Sequence, residues 1–127
     1  MKKNTVRIAL ITIVTIILGG CETSNQKSGL EYKAGSSVFN LEKDCVLQTS
    51  LRDVTPTIIN LSIKENNQCS VRFDEFFLKN INNNLTVSFN GEEIMKSKIV
   101  SPIKSARGIN QSVSDKNKAH EIANFYK

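Results

Sequence analysis

No charged residue interrupts the chain from Ile8 to Leu18. Lys2, Lys3 and Arg7 stand in front of this apolar block and Gly19 and Gly20 follow it, so it decides how much of the sequence is left to fold. A helix that crosses a bilayer needs roughly 20 apolar residues, and the block is too short for a comfortable span. A basic start, an apolar middle and a small-residue exit make the three-part pattern of a secretory signal, which is removed from the mature protein. Setting aside residues 1–20 leaves 107 of the 127 residues. That is enough for one small domain and too little for two.

The exit Leu18-Gly19-Gly20-Cys21 resembles a bacterial lipobox. The resemblance implies that the Cys21 thiol receives a diacylglyceryl group, that cleavage falls just before it, and that the new amino terminus is acylated by a palmitate-like chain. Each buried methylene contributes about 0.8 kcal/mol; one chain holds a protein marginally, whereas two or three hold it firmly. By analogy with Gram-negative lipoprotein sorting, Glu22 in place of an aspartate implies the outer membrane rather than the inner, with the domain facing the periplasm.

With Cys21 assigned to lipid, Cys45 and Cys69 remain, and an even pair in an exported chain is most simply a disulfide. The closed loop of about 25 residues stabilises the fold by roughly 3.5 kcal/mol on the chain-entropy account. A metal role is disfavoured: there is no C-x-x-C pair, and a lone histidine, His120, does not complete a zinc site with two distant cysteines. The net charge of +5 includes Lys2, Lys3 and Arg7, and the mature part carries only about +2. With aromatics at 6% and no basic run, the chain lacks the clustered cations and stacking rings of a nucleic-acid platform.

Along the mature chain, residues 21–37 are polar and rich in Ser and Gly, the composition of a tether, with a reach of roughly 20 Å for about 15 flexible residues. The folded domain is expected over 38–127. Cys45, Val46 and Leu47 suggest a short strand, with Asp53 and Pro56 marking the turn after it. Ile59, Leu61 and Ile63 alternate with polar residues, the period of a half-buried strand. Phe73, Phe76, Phe77 and Ile81 share one helical face, with Ser70 and Asp74 as candidate caps or first-turn acids. Leu85, Val87 and Phe89 alternate before Asn90-Gly91, the dipeptide that best suits a type I′ hairpin turn. A returning strand, a further strand in "GINQSV" and a final helix then follow. Ser114 is the expected cap of that helix, and Ala119, Ile122, Ala123 and Tyr126 form its buried face.

Residues that invite a catalytic reading do not form a set. Glu92 and Glu93 are neighbours on a strand and point to opposite faces. Ser112, Ser114, Asp115, His120 and Glu121 lie close in sequence, but Ser114 and His120 face different directions on a helix, and catalysis needs a base within reach of its nucleophile. No catalytic, cofactor-binding or metal-ligating residue is assigned.

From about Ile58 to Tyr126 the order of elements resembles the periplasmic head subdomain of the SecD/SecDF protein-export subunits. The stretches that carry the resemblance are "FDEFFLKNINNNLTVSFNGEEIMKSKIVSPI", "GINQSVS" and "KAHEIANFY". This chain has Asn90-Gly91 where that family has Asp-Gly, and its proline falls later, at Pro102. The resemblance implies an α+β domain and a tendency to contact polypeptides; it carries over no site residue and no transport motor. The expected architecture is a small antiparallel or mixed sheet with two helices on one face. The expected function is that of a non-enzymatic, lipid-anchored envelope lipoprotein that binds another envelope protein, for which strand addition at an exposed sheet edge is one route. The alternatives are a plasmid- or phage-type exclusion or immunity lipoprotein and, on thinner support, a small envelope hydrolase. No cofactor, small-molecule substrate or nucleic-acid partner is expected.

Overall fold

The computed structural model describes residues 29–127. The signal segment and Cys21 lie outside the described residues. The fold is α+β, as expected, but its strands form two antiparallel sheets rather than one. The first sheet contains β1 (Leu30–Ala34), β2 (Ser37–Leu41), β5 (Asn84–Phe89) and β6 (Glu92–Lys98), in the order β2-β1-β5-β6. The second contains β3 (Val46–Arg52), β4 (Thr57–Ile63) and β7 (Ile109–Val113), in the order β3-β4-β7. Helix α1 spans Arg72–Lys79 and α2 spans Lys116–Phe125.

Residues 30–37 correct the expected tether. Leu30, Tyr32 and Ala34 are buried while Lys33 is exposed, so the period-2 pattern of a strand is present beneath the Ser/Gly-rich composition. Gly35, at φ +57°, turns the chain back into β2, where Phe39 and Leu41 are buried in turn. A strand in the middle of a sheet is therefore built from residues that composition assigns to a linker.

Both sheets present one apolar face to a common core. Leu30, Tyr32, Phe39, Leu41, Val87 and Phe89 line the first, and Ile59, Leu61, Ile63, Ile109 and Val113 line the second. The phenylalanine stripe of α1 fills the space against β1 and β2. Phe73 meets Tyr32 and Phe39 edge-on, each at 5.4 Å between ring centroids, a geometry that adds about 0.5–1.5 kcal/mol per pair beyond burial. One polar bridge crosses this core. The Tyr32 hydroxyl donates to Gln111 Oε1 at 3.1 Å, and the Gln111 amide nitrogen donates to Ser112 O. Burial pushes the Tyr32 phenol well above its ordinary ionisation range.

The ends of the helices differ from expectation in detail. A π turn, Asn67–Val71, leads into α1, and the Asn66 side chain accepts from Gln68 N and Cys69 N. Asp74 lies in the first turn of α1, as expected of a first-turn acid, but neither it nor Ser70 caps the helix, which has no side-chain cap. Asp74 instead accepts from Ser105 N at 2.8 Å, fastening the segment before β7. Asp115, not Ser114, caps α2, accepting from Asn117 N and Lys118 N. Ala119, Ile122, Ala123 and Tyr126 are buried as the helical spacing predicts. At the β5–β6 turn Asn90 and Gly91 both take positive φ, +48° and +84°, the type I′ arrangement.

Candidate functional site

Cys45 closes a 3₁₀ turn, Lys43–Cys45, immediately before β3, and Cys69 lies in the π turn that leads into α1. The two form the expected disulfide, with Cα atoms 5.3 Å apart, inside the usual range for a bridge. Both half-cystines are buried. The bond fastens the entry to α1 to the start of β3, and Lys64 N donates to Cys45 O at 2.8 Å beside it.

The residues that invited a catalytic reading occupy separate settings. Ser112 lies on β7 opposite Ile58, and Ser114 is exposed in the link to α2. Asp115 is engaged in capping. His120 is exposed on α2. Lys118 gathers two carboxylates, with Glu92 at 2.7 Å and Glu121 at 3.0 Å, and these hydrogen bonds hold its ammonium pKa up to about 12, Glu92 contributing most. The Lys116 ammonium, 2.7 Å from Asp53, holds that carboxyl below its ordinary value, with a smaller pull from His120. Glu93 pairs with Lys96 at 3.5 Å on an exposed surface, where such pairs contribute little. Among the described residues no group of three or more His, Cys, Asp and Glu side chains could hold a metal ion, and no helix is long and apolar enough to cross a membrane.

A groove of roughly 250 Å³ runs between α1 and the segment after β6, with Val71, Leu78 and Ile103 as its apolar surface and Glu75 and Lys104 beside them. Asp74, which also lines it, is held by Ser105 N.

The sheet edges are more informative. β3 pairs only with β4 among the described residues, and it carries no charge before Arg52. A bulge between Val46 and Gln48 leaves Leu47 66% exposed. On the outer face beside it, Ser50, Asn60 and Asn110 form one row, with the Asn60 amide nitrogen donating to Asn110 Oδ1 at 2.9 Å. Sequence reasoning saw β3 only as a short candidate around Cys45 to Leu47. Only the strand order marks it as an edge; the sequence shows that its run from Val46 to Leu51 carries no charge, against four charges in β6. Eight residues, 22–29, separate Cys21 from β1, fewer than the expected tether held.

No family model matches this chain, and no curated protein and no solved structure is significantly similar to it.

Proposed function

We propose that this protein is a lipid-anchored lipoprotein of a bacterial envelope, with its membrane attachment at Cys21 and a folded domain that binds a polypeptide rather than transforming a substrate. The observation that carries the location is the Cys45–Cys69 bridge downstream of an export-type leader that ends in cysteine, because disulfides persist in oxidising compartments. Full extension of residues 22–29 spans at most about 29 Å, so a lipid on Cys21 keeps the domain near the headgroups on the periplasmic face, with the outer membrane favoured by Glu22. Binding proceeds by strand addition, in which backbone groups supply affinity and alternating side chains supply selectivity, and β3 offers the edge for it. The likeness to the SecD/SecDF head contributes an architecture compatible with polypeptide contact and no transport role.

Mass spectrometry of the membrane-extracted protein tests the anchor. The expected result is a first residue at position 21 carrying diacylglycerol and an amide-linked acyl chain, with Cys45 and Cys69 oxidised to each other. An unmodified Cys21 with residues 1–20 still attached rejects the reading.

A further inference from the structure

Helix α1 and the residue before it carry two apolar stripes. Phe73, Phe76 and Phe77 face the core, while Val71 and Leu78, seven positions apart on the outer side, are 43% and 58% exposed. The segment after β6 runs beside this outer stripe. Its start is fixed where Ile99 N donates to Asn83 O and Asn82 N donates to Ile99 O, and its end where Ser105 N donates to Asp74. The segment therefore lies antiparallel to α1. It adds Pro102 and Ile103 to the groove, with Val100, 76% exposed, near its start.

Cations border this apolar flank on both sides. Arg72 and Lys79 lie on α1, Lys98 and Lys104 toward the two ends of the segment, and all four are exposed. None of the four is in an ion pair among the described residues, whereas Lys96, Lys116 and Lys118 elsewhere on the surface are each taken up by carboxylates. Of the acids on the flank, Asp74 is held by Ser105 N, and Glu75 leaves the positive charge in excess. An apolar ridge bordered by unpaired cations matches the chemistry of an anionic lipid surface. Apolar groups enter the boundary between headgroups and acyl chains, lysine and arginine stems lie along them, and the charged heads meet the anionic headgroups.

The length of chain ahead of β1 permits that contact. Residues 22–29 reach at most about 29 Å, whereas β1 is roughly 17 Å long at about 3.3 Å per residue. Helix α1 packs over β1 and β2 through Phe73, Tyr32 and Phe39. A lipid on Cys21 therefore reaches the level of α1.

We propose that this flank, α1 with residues 99–105, rests on anionic phospholipid of the membrane that holds the anchor. The proposal rests on the Cys21 reading above and adds the orientation of the domain.

The test uses the acylated full chain in phosphatidylcholine vesicles with or without phosphatidylglycerol. An environment-sensitive fluorophore is placed on Val100→Cys or, as a reference, on Val54→Cys at the β3–β4 turn. Both positions are exposed, so the fold is not at stake. With phosphatidylglycerol present, quenching by a doxyl-labelled lipid should be several-fold stronger at position 100 than at position 54. It should fall several-fold without phosphatidylglycerol and in the Lys98→Glu, Lys104→Glu variant. Equal quenching at the two positions overturns the proposal, as does quenching at position 100 that ignores lipid charge and the double substitution. Flotation with the vesicles in high salt reads the anchor separately. A chain that floats with position 100 unquenched keeps the anchor and loses the proposal. One that floats only at low salt, with position 100 quenched, loses the anchor and keeps the proposal. A chain that floats under neither condition loses both.

Discussion

The Tyr126 hydroxyl accepts from Leu30 N at 2.8 Å and donates to Leu41 O at 2.7 Å, both buried, so one phenol ties the last turn of the chain to the ends of β1 and β2. Gly29, at φ +104°, is the neighbour that makes this possible: a Cβ there would lie 2.8 Å from that hydroxyl. In Tyr126→Phe both backbone groups lose their partner, and because a buried unsatisfied group costs about 1–3 kcal/mol, urea unfolding should show a loss of about 2 kcal/mol or more. The same residue has a pH signature. Burial pushes the Tyr126 pKa up to about 12 and that of Tyr32 beyond it, from an ordinary value of 10.0. Above pH 10 the unfolded chain releases protons that the folded chain keeps. The stabilisation from neutral phenols is therefore complete below pH 10 and declines as pH rises toward 12 and beyond, at about 1.4 kcal/mol per pH unit for each tyrosine. Urea melts between pH 9 and 12 should show that decline, and Tyr126→Phe should remove its share of the slope.

Periodic elements with long apolar spacing were legible as such. β4, α1, β5 and α2 each repeat an apolar residue at the interval their geometry requires, from Ile59-Leu61-Ile63 to Ala119-Ile122-Ala123. β1 and β2 were not, because the Gly35-Ser36 turn between them and Ser37 at the start of β2 give the segment the composition of a linker. Caps fall between these cases. Ser114 and Asp115 are both good N-cap types, and only the backbone shows that Asp115 has the extended ψ of 115° and the reach to Asn117 N and Lys118 N. Asp115→Ala should therefore lower stability by about 1 kcal/mol in chemical denaturation, the usual effect of losing a cap, while Ser114→Ala should leave it unchanged within a few tenths. Equal effects at the two positions would contradict the observed geometry.

The division into two sheets was the least legible feature, because it depends on which strands pair across long separations. β1 lies between β2 and β5, and β4 between β3 and β7, although β3 follows β2 in the chain through one 3₁₀ turn. No periodicity within a strand encodes that choice. The candidate site divides in the same way: the disulfide could be read from cysteine number, whereas the open β3 edge needed the strand order. The bridge acts on the whole domain, since its two ends are 24 residues apart. Reduction, or replacement of both cysteines by alanine, should lower unfolding free energy by about 3.5 kcal/mol on the chain-entropy account, measured by urea titration with and without reductant. A mechanical consequence follows from where the chain enters the first sheet. β1 is an interior strand, held in register to β2 from Leu30 to Ala34 and to β5 over the same five residues. Tension arriving through the polypeptide ahead of Gly29 thus loads two ladders side by side in shear, instead of peeling a border strand one rung at a time.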